Sequence, residues 1–269
     1  RASAHFRNAN VVAVTGPMRV RNASASIVTR LQSLEYMLSM QAGKLGLTEI
    51  NVINNVPGAF GIFRKSFLQQ IGGWNTGTAE DLDLTLRIKQ YQGRHPELRF
   101  EFEPGAVSHT DVPDKLIDFL KQRLRWDGDL LYIYANKHRL GISASIMGWN
   151  NFIFIMWYGI LFQIVMPFTI VLYMIYMIVV LPMPFFLASM TLVYLFYFCL
   201  TLIQFLLYLA VISDRPRKDS SAFLIIPIYP LFQFAVRLWS ALAISNQILN
   251  KGHLDSAMAP FWVLKKGKQ

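Results

Sequence analysis

One long stretch of this chain carries no charge, and it limits the folds that the chain can adopt. Residues 140–213 contain no Asp, Glu, Lys or Arg, while charged residues crowd both ends of the chain. About 20 apolar residues cross a bilayer as a helix, so the stretch holds roughly two spans. We therefore expect an integral membrane protein. Its first span covers Asn151 to about Leu181, and the second runs from the Pro182-Met183-Pro184 hairpin to about Ile212.

A third apolar segment, Phe223 to Leu249, contains Arg237. An Arg in such a segment is costly unless it faces protein, a polar cavity or a polar chain, so Arg237 either lines such a surface or extends to the headgroups. Ser213 to Ser221 is basic and is therefore predicted to be cytoplasmic, with the Pro182 hairpin outside. A complete third span would place the basic C-terminal tail outside. We leave open whether this segment crosses completely.

The net charge of +10 suggests nucleic acid as one possible partner. However, Lys and Arg are concentrated beside the apolar segments, as in Lys137-His138-Arg139 and Arg215-Pro216-Arg217-Lys218. Anionic lipid headgroups explain this placement better, so we expect membrane lipids as partners and no nucleic acid. The single cysteine, Cys199, lies within the second predicted span, which leaves no disulfide and no thiolate metal site.

The N-terminal part of the chain has the pattern of an α/β fold. Asn10 to Thr15 is a β-branched run closed by a turn, and Ser24 to Gly43 repeats apolar residues at helical spacing. Further strands are predicted at Arg99 to Glu103 and at Ala106 to His109. The predicted fold class is therefore α/β, followed by interfacial helices and an α-helical transmembrane region.

A helix is predicted to run to about Gln92, with Thr78 as its N-cap and with a buried side formed by Leu84, Ile88 and Tyr91. Glu80 and Asp81 lie in its first turn. Acidic residues there favour the helix dipole without any catalytic role, so the residues alone leave both interpretations open.

Two segments precede this helix. Ser66 is predicted to cap a short helix, Phe67 to Ile71, which Gly72-Gly73-Trp74 ends. Upstream, Gly58-Ala59-Phe60-Gly61 is either a tight turn or a stretch of bare backbone that a ligand can approach closely.

Gln122, Arg125 and Trp126 are spaced to share one side of a helix. An Arg fork binds phosphate oxygens and a Trp face covers a sugar ring, so the group suits a phosphate beside a sugar. The alternative is an amphipathic helix on the membrane surface, with its Leu and Phe residues turned toward lipid.

Several motifs occur in one order: Ala13-Val14-Thr15-Gly16 with Arg19 and Asn22, Gly58-Ala59-Phe60-Gly61, Gly72-Gly73-Trp74, Ala79-Glu80-Asp81-Leu82-Asp83-Leu84, Pro113, Gln122-Arg123-Leu124-Arg125-Trp126 and Gly128. Together they resemble the processive family 2 glycosyltransferases, the group of cellulose, hyaluronan, chitin and poly-N-acetylglucosamine synthases. The resemblance covers about the first half of the chain. It implies a partial GT-A-type, Rossmann-like glycosyltransferase domain.

The resemblance also implies roles for individual residues. Asp81 corresponds to the general base that takes the proton of the acceptor hydroxyl in a single inverting displacement. Gln122, Arg123 and Arg125 correspond to the group that holds the donor diphosphate. The acceptor-binding residues are expected to be Trp126, as a platform under the sugar, with Phe60, Gly61 and Glu80.

The chain departs from the family pattern in two respects. Ala79 stands where the family often has Thr. The Asp-x-Asp motif that binds the metal and the nucleotide diphosphate would lie upstream of Asn10. We therefore expect the C-terminal part of a longer protein, inactive alone, whose divalent cation (Mg or Mn) has its ligands outside this chain.

Four regions are predicted: residues 1–111 as the C-terminal half of the glycosyltransferase domain, 112–150 as interfacial helices, 151–250 as two to three spans, and 251–269 as a basic tail. The tail, with Phe261 and Trp262, either closes over the donor site or anchors to the membrane surface. The predicted location is the plasma membrane, and the bacterial inner membrane in particular. We expect a multi-pass protein with its catalytic side cytoplasmic.

Three functions are weighed. The first is transfer from a nucleotide-sugar donor, a UDP-sugar, to a growing β-linked polysaccharide that the spans export. The second is addition of one sugar to a lipid acceptor. The third is a transporter or membrane-anchored binding module, although the first two predicted spans contain no ionisable residue of the kind that transport folds bury.

Overall fold

The computed structural model describes residues 1–76 and 78–252. Its strands are β1 (Val11–Thr15), β2 (Met18–Val20), β3 (Gly61–Phe63), β4 (Arg99–Phe102) and β5 (Ser108–Thr110). One sheet has the order β3-β1-β4, in which β1 is antiparallel to β3 and parallel to β4. A second, parallel pair joins β2 to β5. The predicted α/β class is confirmed, although β5 begins two residues later than expected.

The helices surround these sheets and continue into the apolar region. They are α1 (Ile27–Glu35), α2 (Lys44–Glu49), α3 (Lys65–Gln70), α4 (Glu80–Gln92), α5 (Leu116–Tyr132), α6 (Ala144–Met147), α7 (Trp149–Phe154), α8 (Met166–Val180), α9 (Met183–Leu207), α10 (Pro216–Asp219) and α11 (Tyr229–Asn250). π-Helical segments follow α1 (Tyr36–Gly43), α5 (Ile133–Lys137), α7 (Ile155–Val165) and α9 (Tyr208–Ile212). Single 3₁₀ segments cover Ala2–Arg7 and Ser220–Ile225.

The core of the N-terminal part lies between the three-stranded sheet and α4. Ala13 and Phe100, from the two parallel strands, pack with Leu84 and Ile88 of α4. Each of these side chains is at most 1% exposed. Tyr91 packs against the same cluster, so the predicted buried side of α4 is confirmed. This packing fixes the first turn of α4 relative to the strand ends.

Two predicted helix caps are wrong. α3 already begins at Lys65, so Ser66 lies inside the helix and no side chain caps it. α4 is preceded by Ala79, whose φ of 44° and ψ of 47° are left-handed. Ala79 therefore takes the N-cap position, and the Thr78 hydroxyl donates to Asp129. A left-handed Ala is strained, and it stands directly before Glu80 and Asp81.

In the part that the structure describes, two helical stretches are long and apolar enough to cross a membrane. They are Trp149–Val180 and Met183–Ile212, with mean hydropathy 2.2 and 2.3. Their bounds agree with the two predicted spans. The third segment is divided, because Pro216–Ile225 and Tyr229–Asn250 meet at a bend of 71°. Such a pair is either one broken span or a re-entrant segment.

α5 lies against α11 rather than alone on a membrane surface. The indole Nε1 of Trp239 donates to the carbonyl of Leu120 at 2.9 Å, and the rings of Phe119 and Phe232 are 5.3 Å apart. Arg237, on α11, donates to the carbonyl of Phe162 and to the Gln163 side chain. Arg237 is half-buried and faces protein, and these contacts offset the cost of a guanidinium in an apolar segment.

Candidate active site

A cleft opens between the loop before β3 and the first turn of α4. Its lining residues are Val56, Pro57, Gly58, Gly61, Phe63, Trp74, Glu80 and Asp81, and its volume is about 340 Å³. Three predicted site residues, Gly61, Glu80 and Asp81, therefore line one cleft. The remaining predicted residues lie elsewhere, as described below.

Asp81 is held in a fixed orientation by the loop opposite. Its Oδ2 accepts hydrogen bonds from Asn55 Nδ2 at 3.0 Å and from the backbone N–H of Gly58 at 3.1 Å. Its Oδ1 accepts from the N–H of Leu82 at 2.8 Å. A carboxylate oxygen has two lone pairs, so among the described residues Oδ1 keeps one acceptor position. A substrate hydroxyl could donate there.

Gly58 approaches the two acidic residues closely. A Cβ built at this position would lie 3.1 Å from Glu80 Oε1 and 3.7 Å from Asp81 Cβ. A side chain would therefore crowd the Glu80 carboxylate at the edge of the cleft. Of the two interpretations of the Gly-Ala-Phe-Gly stretch, the structure favours the second, since backbone rather than side chain borders the cleft.

Trp74 is a candidate binding residue that the sequence analysis did not single out. It lines the cleft, is 51% exposed, and meets the ring of Phe63 edge-on at 6.1 Å. In the sequence, Trp74 was named only within Gly72-Gly73-Trp74, as a helix end and as one of the shared motifs. An aromatic residue directly after two glycines, here both at positive φ, is the signal that could have found it.

Phe60 does not line this cleft. Its ring packs with a neighbouring cluster around Met18 and Tyr36, close to Gly16, and its carbonyl accepts from Thr15 Oγ1 at 2.9 Å. These contacts join the Gly-Ala-Phe-Gly turn to the end of β1. Phe60 thus shapes the loop, and its expected acceptor contact stays a prediction.

Asp129 connects the α5 motif to the acidic end of the cleft. It is 3% exposed, and burial raises its pKa to about 6. The Thr78 hydrogen bond and the positive charge of Arg125 lower the pKa, while the charges of Glu80 and Asp81 raise it. Arg125 and both carboxylates thus act electrostatically on one residue. Asp129 was not identified from the sequence, because only the tertiary fold brings α5 and α4 together.

Arg123 lies away from the cleft. Its guanidinium is 2.5 Å from Glu35 and stacks on the rings of Phe119 and Trp126. The pKa of Arg123 is raised because the attraction of Glu35 outweighs the opposing effect of burial, which is the largest single contribution. These contacts fasten α5 onto α1, and diphosphate binding by Arg123 stays a prediction.

Gln122 and Trp126 are half-buried on α5 and are not among the described residues that line the cleft. The Oε1 atom of Gln122 is buried without a hydrogen-bond partner in the described structure. One face of Trp126 is covered by Arg123, whose guanidinium carbon lies 4.8 Å from the ring centre. The structure thus leaves Gln122 with an unused acceptor and Trp126 with one covered face.

Asp83 has a structural role. It is fully buried on α4 and accepts from His138 at 2.7 Å, from Lys137 at 2.8 Å and from Arg87 at 3.1 Å. Burial raises the pKa of Asp83, but these donors outweigh that effect and lower it. Asp83 therefore ties α4, which carries Asp81, to the segment that follows α5, the helix of Arg125.

The residues that the structure describes hold no group of three or more His, Cys, Asp or Glu side chains placed to bind a metal ion. The predicted ligands of the divalent cation are expected outside this chain. The tail with Phe261 and Trp262 lies outside the described residues.

A glycosyltransferase is the class that this fold and cleft define, with an α/β layer, paired acidic residues at a helix start and apolar helices after them. The chain belongs to the family described as glycosyl transferase family group 2, whose model matches residues 1–244. The expected resemblance to processive synthases is confirmed. Because the members of this family are transferases, we set aside the interpretation as a mere transporter or binding module.

Curated relatives agree with this family. A poly-beta-1,6-N-acetyl-D-glucosamine synthase of Staphylococcus epidermidis is 31% identical over 121 residues, which is 45% of this chain and 28% of the relative. The enzyme of the same name from Staphylococcus aureus strain COL is 34% identical over 117 residues, or 42% of this chain and 26% of the relative. The aligned part thus spans little more than a quarter of each relative.

Proposed function

We propose that this chain is part of a membrane enzyme that transfers a sugar from a UDP-sugar to a growing β-linked polysaccharide. The observation that carries the proposal is the Asp81 carboxylate, which lines an open cleft, is held by three hydrogen bonds and keeps one acceptor position on Oδ1 among the described residues. The names of the relatives suggest N-acetylglucosamine as the sugar and poly-β-1,6-N-acetylglucosamine as the product.

The proposed reaction is one displacement at the anomeric carbon. The acceptor hydroxyl gives its proton to Asp81 Oδ1 while its oxygen forms the new bond to that carbon. The bond from the anomeric carbon to the diphosphate breaks, and the nucleoside diphosphate leaves with the electron pair. A carboxylate within hydrogen-bond reach of the hydroxyl is the group that such a step needs.

Gln122 and Arg125 are proposed to hold the donor diphosphate. A guanidinium pairs with phosphate oxygens, and it helps most where charge builds on the leaving group. Arg125 already acts on Asp129 together with Glu80 and Asp81, so it belongs to the electrostatic surroundings of the cleft. Trp126 stays a proposed acceptor platform. Trp74, with Glu80 and Gly61, is proposed to contact the acceptor sugar within the cleft.

The two apolar helices are proposed to cross the plasma membrane, with the cleft on the cytoplasmic side and the product leaving between the spans. The basic residues at Arg215, Arg217 and Lys218, next to the end of the second helix, support a cytoplasmic position for that end. We propose the same four regions, residues 1–111, 112–150, 151–250 and 251–269, for this enzyme.

The product of the full-length protein tests the proposal. Membranes containing it would be supplied with radiolabelled UDP-N-acetylglucosamine and, in parallel, with UDP-glucose. We expect label from the first donor in a high polymer. Arg125→Lys should lower polymer formation at least tenfold, because a planar guanidinium that binds two phosphate oxygens is replaced by a single ammonium. A single labelled glycolipid would instead support the one-sugar alternative. No transfer from either donor would contradict the proposal.

A further inference from the structure

Lys44, at the start of α2, is a lysine buried behind the candidate active site. It is 1% exposed. Its ammonium donates to Asn54 Oδ1 at 3.1 Å, to Asn55 Oδ1 at 2.8 Å and to the backbone carbonyl of Asn55. An ammonium has three donors, and all three are therefore used on two adjacent residues of the cleft loop. Burying a lysine is costly, so a lysine kept here calls for an explanation.

The Asn55 side chain links Lys44 to Asp81 by hydrogen bonds. Its Oδ1 accepts from Lys44, and its Nδ2 donates to Asp81 Oδ2 at 3.0 Å. A lysine offers donors alone and a carboxylate offers acceptors alone, so the two partners dictate which way the carboxamide points. Without Lys44 the carboxamide would lose the contact that prevents it from turning its oxygen toward Asp81. An ordered connection thus runs from the protein interior to the proposed base.

Lys89, on α4, provides an internal comparison. It is fully buried as well, but its ammonium has no hydrogen-bond partner in the described structure and lies 4.7 Å from the centre of the Phe154 ring. Burial lowers the pKa of both lysines to about 7. Burial alone therefore does not distinguish them. The difference is that Lys44 bonds to the loop that holds Asp81.

We propose that Lys44 is a positioning residue for the transfer reaction: through the Asn55 carboxamide it holds the Asp81 carboxylate so that Oδ1 faces the acceptor hydroxyl. This inference rests on the proposed function, in which Asp81 is the base. Lys44 is buried and does not line the cleft, so it acts on the reaction through Asp81.

Neighbouring charged groups influence the protonation of Lys44. The negative charge of Asp81 raises the pKa of Lys44, while the positive charge of Lys44 lowers the pKa of Lys89. On β4, which packs against α2, Arg99 lies 3.8 Å from Glu101 in a partly exposed pair. Because the pKa of Lys44 is about 7, the side chain loses its positive charge and one of its three donors as pH rises through 7.

The test uses the full-length protein in membranes and measures kcat, the KM for the donor and the dependence of kcat on pH. We expect Lys44→Met to lower kcat about 100-fold with little change in KM, because a misplaced base slows the chemical step. Because Lys44 loses its proton near pH 7, the kcat of the wild type should fall as pH rises through 7, and Lys44→Met should lack this fall. Lys44→Arg, which keeps the charge and its donors, should recover part of kcat. Lys89→Met should keep both kcat and the wild-type pH profile.

Two further variants separate the positioning role of Lys44 from the proposed function itself. Asn55→Ala interrupts the same connection with Lys44 in place, so it decides the matter if Lys44→Met does not fold. Asp81→Asn separates the two claims. If it retains activity, the proposed function fails. If it is inactive while Lys44→Met and Asn55→Ala keep the wild-type kcat and pH profile, the positioning role alone is overturned.

Discussion

At the scale of single residues, the cleft depends on side chains whose partners come from distant parts of the chain. Asp81 is bonded by Asn55, Asp129 by Thr78, and Arg123 by Glu35. The motif residues could be found in the sequence because glycosyltransferases share their order. Their partners could not, since an ion pair between residues 35 and 123 exists only once α1 and α5 pack together. That is why Arg123 was assigned to the diphosphate and why Lys44 and Asp129 were missed.

Asp129→Asn should stabilise the protein at neutral pH. The folded-state pKa of Asp129 is raised to about 6, so its contribution to stability is greatest at low pH and is lost as pH rises from about 4 through 6. The Asn amide stays neutral at every pH, so the variant avoids this loss of folding stability, which is on the order of 3 kcal/mol at most. The midpoint of thermal unfolding in detergent should be higher at pH 7.5. Asp118→Asn, at an exposed position, is the control. A lower midpoint for Asp129→Asn would contradict this account.

Trp74→Ala should weaken acceptor use, while Trp74→Phe should retain most of it, because a flat apolar face is what a sugar ring contacts. Trp74 is 51% exposed in the cleft, so the loss should come from binding rather than folding. We expect about a tenfold rise in the KM for an acceptor oligosaccharide, equivalent to about 1.4 kcal/mol. Initial rates against acceptor concentration would measure it. Equal values for the Ala variant and the wild type would exclude a contact at Trp74.

At the scale of elements, periodicity predicted the strands and helices better than capping predicted their ends. α4 has the expected buried side because Leu84 and Ile88 repeat at helical spacing. Its start differs because the left-handed Ala79 takes Thr78 out of the capping position. The division of the third apolar segment into a pair bent by 71° was left open by the sequence, since hydropathy does not report direction.

Gly128→Leu should disrupt the packing of α5 on α11. A Cβ at this position would already be in contact with Gln247, at 3.4 Å from Oε1 and 3.7 Å from Cβ, so the further atoms of a Leu side chain would press against α11. We expect a loss of about 1–3 kcal/mol in stability, typical of overpacking, and a fall in polymer output. Gly46→Leu is the matched control, because nothing lies within 4 Å of a Cβ there. Equal thermal midpoints for the two variants would show that close α5–α11 contact is unimportant.

At the scale of the whole molecule, a buried ion-pair cluster joins the α/β part to the end of the second apolar helix. Arg19 of β2 is 5% exposed and pairs with Asp219 at 3.3 Å and with Asp214. Asp219 also accepts hydrogen bonds from Tyr208 at 2.8 Å and from Ser213 at 2.7 Å. The α/β part and the apolar helices are thus connected by fixed contacts.

Arg19→Met should loosen this connection. Breaking a buried pair costs about 3–5 kcal/mol where the remaining charge has no other partner, and the cost here should be smaller because Asp219 keeps its pair with Arg215 at 3.1 Å. We expect faster cleavage of the segment around residues 213–219 in limited proteolysis of membranes. Arg21→Met is the control, because Arg21 forms an exposed pair with Asp111 on the same part of the chain. Identical cleavage rates for the two variants would argue against the connection.

The central claim is that Asp81 takes the proton from the acceptor. The most direct test compares Asp81→Asn with Asp114→Asn, an exposed aspartate outside the cleft, in full-length protein supplied with labelled donor. We predict that Asp81→Asn loses between about 10²- and 10⁴-fold in turnover, the usual contribution of a general base, while it still binds donor. Asp114→Asn should match the wild type. Undiminished turnover by Asp81→Asn would contradict the account.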